Sequence, residues 1–334
     1  MATRQADIND LERLRNSGSC EGGNLCYADL ADAALEGAVL RGADLKGADL
    51  SRARLANADL SGANLYKAKL GDADLSGAKL QGAQLGKAKL RGAKLQGADF
   101  SGADFKKADL RGLDFSGVIL EGARLPRADL RAAQLQGAVL EKLYMKNCRL
   151  DGADLRGASL RKSDLRAVEL DTANLSEATL QNARLENASL RNAMLVDANL
   201  WVAKCGAARF TGANAHRANF RGADLSQAIL DRANLRESNF QGANLSQASL
   251  RRADLVGADI ALAHLDGAEF EGATMPDGGP PSQDPVADIE LKQASDLRVL
   301  ADERLEDKPE AEAEAGSEAE PKKRGFLSRL FGRK

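Results

Sequence analysis

Few side chains in this sequence could do acid–base or metal chemistry. The only histidines, His216 and His264, are far apart and lack the paired spacing of a metal site. Carboxylates are numerous, but they recur at regular positions, so pairs of them carry little catalytic information. No Gly-rich phosphate loop, G-x-S-x-G elbow or nucleotide fingerprint lies outside that regular pattern. We therefore expect a protein that is not an enzyme, with no catalytic residue, metal site or cofactor.

The four cysteines suit a reducing compartment. Cys148 and Cys205 occupy positions that elsewhere hold Ala and Leu, which predicts buried apolar roles. Cys20 extends the same inward register, and Cys26 is predicted to face outward. A Cys20–Cys26 disulfide or metal pair is the alternative, although this spacing is poor for zinc. Whether each cysteine is buried depends on the secondary structure in which it lies.

A period of five residues organises most of the chain. From Leu25 to Met275 every fifth residue belongs to one series, in which 39 of 51 positions are Leu and seven are Phe. The residue two before it is Ala in 43 of 51 cases. In an α-helix each step of five advances the side chain by about 140°, so the leucines would form no single face. A continuous strand would alternate them between its faces, because five is odd.

A short extended segment followed by a two-residue corner satisfies this period. In Ala28-Asp29-Leu30 the outer two side chains point inward and the middle one outward, and Ala31-Asp32 is the corner. Repeated corners close a coil, and coils stack about 4.8 Å apart. Gly is the second corner residue in 21 of the 49 units from Asp32 to Gly272, which favours a type II turn with positive φ. Lys, Arg, Asn or Asp at other corners predicts a second turn type there.

Units such as Ala-Asp-Leu-Lys-Gly (43–47) and Ala-Asn-Leu-Ser-Gln (243–247) resemble the A-(D/N)-L-X-X consensus of the pentapeptide-repeat family. The resemblance covers most of the chain, and the unbroken register makes it specific. It implies an all-β fold, a right-handed quadrilateral β-helix (a pentapeptide-repeat solenoid) with four units per coil. Residues twenty apart then stack, and the rod has about twelve coils and a length of about 60 Å.

This stacking predicts charge ladders along the rod. Two columns alternate in sign at a spacing of twenty: Arg54, Asp74, Lys94 and Asp114, and Asp59, Lys79 and Asp99. Opposite charges on adjacent coils are expected to stabilise by a few tenths of a kcal/mol each. Lys69 above Lys89 is an exception to this pattern.

The ends of the chain depart from the repeat. We predict an N-terminal helical cap at 1–19, the β-helix at 20–275, a linker at 276–285, a helix that caps or dimerises at 286–308, an acidic disordered spacer at 309–320 and a basic amphipathic tail at 321–334. The predicted N-terminal helix covers 5–16, with Ile8, Leu11 and Leu14 on one side. Exposed strand edges favour aggregation, so both ends of a solenoid need covering.

The basic tail is the best short motif of the chain. It has six basic residues and no acid, and as a helix it places Phe326, Leu327, Leu330 and Phe331 on one face, with Arg329 off that face. This pattern favours docking on an anionic membrane or in a partner's groove, with weak and reversible membrane binding. The alternative is a solubilising tail whose basic end folds back on the acidic spacer.

One stretch inside the repeat also departs from the consensus. Cys205 and Ala215 replace Leu on the inward track, and Trp201, the single tryptophan, falls at an outward corner. An exposed Trp is a candidate contact residue. A local bulge or narrowing of the coil is the alternative explanation. Larger inward groups at 113–118 and 143–148 predict a wider coil.

Taken together, these patterns favour a non-catalytic scaffold that binds a protein partner, with the tail as a membrane or partner anchor. A homodimer is also open. Residues 1–17 do not resemble a signal peptide, and no apolar run approaches the length of a membrane span. We therefore expect a cytoplasmic protein, with peripheral association at the inner face of the membrane as an extension of the tail hypothesis.

The resemblance also implies an alternative function. Some family members mimic a DNA duplex and protect type II topoisomerases such as gyrase from quinolones. Mimicry needs a strongly negative surface, whereas residues 28–275 hold 31 acidic and 34 basic residues. Direct nucleic-acid binding is favoured by one group of cations: Lys67, Lys69, Lys79, Lys87, Lys89, Arg91 and Lys94. Asp72, Asp74 and the scarcity of stacking aromatics oppose it, so we expect no nucleic-acid partner.

Overall fold

The computed structural model describes residues 5–287 and residue 289, and within them the chain forms one helix followed by a four-sided solenoid. Parallel bridges join residues twenty apart, from Ser19 with Val39 to Asp254 with Thr274. Each bridge pairs a single residue of one coil with a single residue of the next. The predicted stacking register is therefore confirmed, and the four columns of bridges define four walls.

Backbone hydrogen bonds explain why the five-residue unit repeats without interruption. In the unit 43–47, the N–H groups of Leu45 and Gly47 donate to carbonyl oxygens of the following coil, both at 2.9 Å. The N–H of Asp44 donates to the preceding coil at 2.8 Å. The N–H of Ala43 closes the corner by donating to the carbonyl of Leu40 at 3.1 Å. An inserted residue would break this pairing on both neighbouring coils.

The Asp or Asn in the middle of a unit completes the hydrogen bonding of the corner. The N–H of the first corner residue makes no ladder bond, and it donates instead to the Asp or Asn side chain two residues before it. Lys46 N–H donates to Asp44 Oδ1 at 3.3 Å, and Ser176 N–H donates to Asn174 Oδ1 at 3.1 Å. Leaving a buried N–H unsatisfied costs about 1–3 kcal/mol. This bond gives the Asp/Asn preference of the consensus a backbone explanation.

All corners place their second residue in the left-handed region. From Gly22 to Gly272, φ at this position is 51–62° for non-glycine residues and 61–77° for glycines. The expected second turn type at non-glycine corners is therefore wrong, because they share the positive φ of the glycine corners. Residues such as Lys67 tolerate the conformation because ladder bonds to the adjacent coil and the corner bond together hold the backbone.

The Ala and Leu series fill the core, and nearly all of them are buried. Ser163 and Ser238 replace Ala and are equally buried. Each serine hydroxyl donates to the carbonyl three residues before it, on Leu160 and Leu235 respectively, so the buried oxygen has a partner. The core consequently extends along the whole solenoid rather than concentrating at one point.

The ladder is interrupted at two places near residues 113–119. Among the described residues, no parallel bridge joins Lys94 to Asp114 or Ile119 to Val139, although the flanking bridges are present. Leu113 and Val118 replace Ala in this region, and additional core volume displaces backbone. The expected widening at 113–118 stays a prediction. At 143–148, by contrast, the bridges are kept.

Helix α1 (Ile8–Ser17) precedes the solenoid. It begins after Asp7, whose carboxylate accepts a hydrogen bond from Asn9 N–H at 2.8 Å, and it ends at Gly18 with φ 66°. Leu14 is buried and Leu11 packs partly against the core. Ile8, at the start of the helix, is 71% exposed.

Two hydrogen bonds join this N-terminal region to the open edge of the first coil. Asp7 N–H donates to the carbonyl of Asn24 at 2.9 Å, and Asn24 N–H donates to Asp10 Oδ2 at 2.7 Å. At the other end, residues 285–287 are helical, and Val286 and Ile289 pack against the solenoid core. The rest of the predicted C-terminal helix, the acidic spacer and the basic tail lie outside the described residues.

Candidate interaction surfaces

The predicted contact residues fall into two groups. Phe326, Leu327, Arg329, Leu330 and Phe331 lie outside the described residues, so their docking role stays a prediction. Trp201 lies at a corner, as expected, with 46% of its surface exposed.

The corner at Trp201 is well ordered by its own hydrogen bonds. Its N–H donates to Asn199 Oδ1 at 3.1 Å, and its carbonyl accepts from Asn182 N–H at 3.1 Å. Val202 beside it is also exposed, so the two side chains form a small apolar patch. The bridge between Lys204 and Asp224 in the next wall is intact, which argues against a bulge at this coil.

Neither histidine lies in a cluster suited to acid–base chemistry. His216 Nδ1 is 3.1 Å from the carbonyl of Arg236, and its Nε2 is 3.3 Å from Arg217, which itself binds Asp197 at 2.7 Å. His264 is exposed on a wall. Within the described part of the chain, no group of three or more His, Cys, Asp or Glu side chains could hold a metal ion.

The cysteines are all buried, and one expectation about them is wrong. Cys26 is only 2% exposed rather than outward-facing. The Cys20 thiol is free, receives a hydrogen bond from Arg13 and donates to the carbonyl of Asp10, both at 3.4 Å, so no Cys20–Cys26 disulfide forms. Burial raises the pKa of the Cys148 thiol to about 12, which suits an apolar packing role.

The predicted charge columns have the correct register but the wrong ion pairs. Arg54 pairs with Glu36 at 2.5 Å instead of with Asp74, because its long side chain reaches diagonally across the wall. Lys79 and Lys94 have no carboxylate within 4.0 Å among the described residues. A pair twenty residues apart does form between Lys69 and Asp49 at 2.9 Å.

A second kind of ion pair lies within a single unit. Arg111 donates from Nε and Nη2 to both oxygens of Asp109, at 2.7 and 2.6 Å, and Arg131 binds Asp129 in the same way. The Arg111 hydrogen bond lowers the pKa of Asp109. These carboxylates are consequently neutralised by their own unit.

One wall concentrates the positive charge of the solenoid. We define the basic wall as segments 46–52, 66–72, 86–92, 106–112, 126–132 and 146–152, which stack through the bridges from Asp49 to Arg149. It carries fourteen cations and five carboxylates, a net charge of +9. Nine of these cations have no carboxylate within 4.0 Å in the part of the solenoid described: Lys46, Lys67, Lys87, Lys89, Arg91, Lys106, Lys107, Arg127 and Lys146.

The opposite wall of the same coils has fewer charged residues and a slightly negative net charge. Its matched segments each begin ten residues earlier, from 36–42 to 136–142, and hold five carboxylates and three cations, a net charge of −2. Sequence reasoning found part of the basic wall, since Lys67, Lys69, Lys87, Lys89 and Arg91 lie on it. Lys79 and Lys94 do not. The remaining cations of this wall become apparent only when the charges of residues twenty apart are added together.

Shallow depressions open on or beside the basic wall. One has a volume of about 840 Å³ and is lined by Lys69, Lys89, Arg91 and Arg111, together with Gly71, Gly92 and Gly112. Another lies around Tyr66 and Gly86.

Tyr66 is held between two lysines. The ammonium groups of Lys67 and Lys87 lie 5.6 and 5.7 Å from its ring centroid. A hydrogen bond from Lys87 holds the pKa of the Tyr66 hydroxyl below its usual range. One ring edge lies over Gly86, where an added Cβ would be 3.0 Å from the ring.

The comparisons with known proteins agree with this architecture. The family model described as "Pentapeptide repeats (8 copies)" matches residues 20–122, 128–166, 173–201 and 203–275 in overlapping stretches. The chain therefore belongs to the pentapeptide-repeat family, whose fold is the right-handed β-helix. No curated protein matches it. In the described residues, no helix has the length and apolar character needed to cross a membrane.

Several solved structures are similar to this chain. HetL, a protein involved in heterocyst differentiation regulation in Nostoc sp. strain PCC 7120, is 33% identical over 71% of this chain and 91% of its own, with a TM-score of 0.34. QnrB1, a plasmid-mediated fluoroquinolone resistance protein, is 16% identical over 70% and 96%, with a TM-score of 0.18. The Nostoc protein alr5209 is 31% identical over 36% and 100%, with a TM-score of 0.21. Because these TM-scores are low, family membership rests on the repeat sequence.

Proposed function

We propose that this protein is a non-catalytic scaffold that binds other proteins through the walls of its solenoid. The carrying observation is the strict division between a closed apolar core and outward side chains on four walls. The Ala and Leu positions pack the core, so any recognition must use outward residues. Flat walls of repeated geometry suit extended contact with a partner better than enclosure of a small substrate.

We further propose that the C-terminal tail is a second attachment point. Phe326, Leu327, Leu330 and Phe331 can form one apolar face flanked by basic residues, which is typical of peptides that dock in a partner groove or on an anionic membrane. Trp201 offers an additional contact on the solenoid itself. In this proposal the protein acts in the cytoplasm, with peripheral attachment at the inner membrane face as one use of the tail.

Affinity capture with the full chain and with residues 1–320 tests both proposals. The scaffold function predicts a reproducible partner that both proteins retain if the walls bind it, or that only the full chain retains if the tail binds it. Recovery of no specific partner with either protein contradicts the scaffold function. Flotation with phosphatidylserine vesicles separates the membrane from the partner, since equal flotation of the two proteins contradicts a membrane role for the tail.

Topoisomerase modulation by DNA mimicry is the less favoured alternative. A DNA-mimicking surface must present negative charge to a site that binds phosphates, whereas the basic wall has a net charge of +9. A gyrase supercoiling assay with micromolar protein tests this alternative directly, and we expect no inhibition.

A further inference from the structure

We propose that the basic wall binds an acidic surface segment of a protein partner. The inference rests on the scaffold function and adds to it the chemistry of the partner and the place where it binds. Four observations carry it: the charge asymmetry of the walls, the unpaired state of the cations, their regular order along the rod, and the depression between them.

The charge asymmetry distinguishes this wall from its opposite. A net charge of +9 on six segments, against −2 on the matched segments behind them, gives these coils a strongly directional field. Such a field raises the rate of encounter with a negative surface and orients it during approach. It also repels positively charged surfaces, which adds specificity.

The cations of the wall are available to a partner. Nine of them have no carboxylate within 4.0 Å in the described chain, although Arg–Asp pairs are common elsewhere on the solenoid. A partner carboxylate could bind Lys87 or Lys107 without first breaking an ion pair. Like charges on adjacent strands destabilise a sheet, so an acidic partner would also relieve repulsion within the wall.

The lysines are ordered by the backbone. Lys67, Lys87 and Lys107 are second corner residues with φ of 62°, 59° and 60°, and they succeed one another at intervals of twenty. They therefore form a row parallel to the rod axis with a spacing of about 4.8 Å. Because the corner hydrogen bonds hold their Cα atoms in place, little backbone entropy is lost when a partner binds.

The depression gives the partner a place to lie. Lys69, Lys89 and Arg91 line it on the same wall as the lysine row, and Gly71, Gly92 and Gly112 at its corners lack side chains that would fill it. Arg and Tyr are enriched at protein interfaces, and Tyr66 lies beside the row. An extended acidic peptide can follow the depression while its carboxylates reach the lysines.

A protein segment fits the wall better than a nucleic acid does. Asp72 lines the same depression and would repel a continuous phosphate backbone, whereas a protein can place a backbone N–H or a cation against it. Base stacking needs a free aromatic face. The ring of Tyr66 is occupied by Lys67, Lys87 and the backbone at Gly86.

The test compares two charge-reversal variants of the full chain. The wall variant carries Lys67→Glu, Lys87→Glu and Lys107→Glu. The control carries Lys162→Glu, Arg232→Glu and Arg252→Glu, which change the net charge equally at second corner residues outside the wall with φ of 57–58°. Glu177 and Glu237 already occupy such corners with φ of 61° and 56°, so both variants are expected to fold.

The probe is a fluorescently labelled poly-glutamate peptide, measured by anisotropy at low ionic strength, with duplex DNA and phosphatidylserine vesicles in parallel. We expect the unmodified protein to bind the peptide, the wall variant to bind it at least about tenfold more weakly, and the control to stay within about twofold. Three results overturn the inference: no binding, equal weakening in both variants, or wall-dependent binding that is tighter to DNA or to vesicles than to the peptide.

The outcome is distinguishable from failure of the scaffold function. If the peptide does not bind but affinity capture still recovers a specific partner, only the basic-wall inference is overturned. If capture recovers no partner while the peptide binds, the scaffold function is overturned and the wall is a peptide-binding surface without a scaffold role.

Discussion

Phe210 and Phe220 meet edge to face across the core, with ring centroids 5.9 Å apart and ring planes at 90°. They are ten residues apart and so project from opposite walls of one coil. The other two Leu-series positions of that coil hold Cys205 and Ala215. Two large and two small side chains therefore share a space that four leucines fill in other coils, and the ladder on either side is intact.

This sharing of volume predicts non-additive substitutions. Ala215→Leu alone should overpack the coil and cost about 1–3 kcal/mol. Phe220→Leu alone should leave unfilled volume and also destabilise the coil. A protein with Ala215→Leu and Phe220→Leu approaches the ordinary four-leucine coil, so its free energy of unfolding in urea should exceed that of either single variant. A double variant less stable than both would contradict the sharing of volume.

The hydrogen bond between Trp201 N–H and Asn199 Oδ1 predicts a preference at the middle position of the unit. Asn199→Ala removes the acceptor and should cost about 1 kcal/mol, whereas Asn199→Asp keeps an acceptor and should cost much less. Urea unfolding of the two variants measures the difference. Equal stability would mean that water satisfies this corner N–H as well as the side chain does.

The low pKa of Asp49 predicts that its contribution to the stability of the fold is lost in acid. Hydrogen bonds from Ser51 and Lys69 lower its pKa to about 2, from an ordinary value of 3.8. The ionised form is therefore favoured by folding, and this contribution to stability is full above about pH 4 and is lost as the pH falls towards 2. NMR titration of the Asp49 carboxyl should show the low midpoint, and Ser51→Ala or Lys69→Ala should raise it.

Lys89→Ala provides the matched control for this titration. Lys89 lies one coil further along the same wall, whereas the ion pair of Asp49 is with Lys69. The Asp49 midpoint should be unchanged in this variant. A midpoint near the ordinary value in the unmodified protein would show that the hydrogen bonds do not persist in solution.

The contacts of Asp10 predict that it protects the backbone amides of the first coil from hydrogen exchange. Its carboxylate accepts from Asn24 N–H at 2.7 Å and pairs with Arg13 at 3.0 Å. Asp10→Ala should increase amide exchange at Asn24 and the first coil, with little change at coils near Phe220, because each coil of a solenoid contacts only its neighbours. Hydrogen exchange followed by mass spectrometry measures both regions. Uniform protection throughout would exclude a capping role for this contact.

Much of the fold could be predicted because the period of five leaves one geometry that keeps Ala and Leu inward. Ala43 and Leu45 are two residues apart, and the two corner residues after Leu45 restore the register. The stacking of residues twenty apart followed from the family resemblance, and the bridges confirm it. The corner backbone was harder to predict, because residues such as Lys67 avoid positive φ unless neighbouring coils hold them there.

Only some features of the candidate surfaces could be predicted from the sequence. Exposure of Trp201 followed directly from its register position. The burial of Cys26 did not, because its position in the five-residue unit is an outward corner. The partner of Arg54 could not be predicted from stacking alone, because a long flexible side chain can reach diagonally to Glu36.

The sequence by itself therefore determined the repeating unit, the apolar core and the inward or outward direction of most side chains, because these depend on periodicity within a few residues. Only the tertiary structure decided which charges share a wall. Lys67, Lys87 and Lys107 are distant along the chain and become neighbours when coils stack, whereas Lys79 faces the other side of the rod. Charge acts through distance in space, so the basic wall emerges only after the chain is wound.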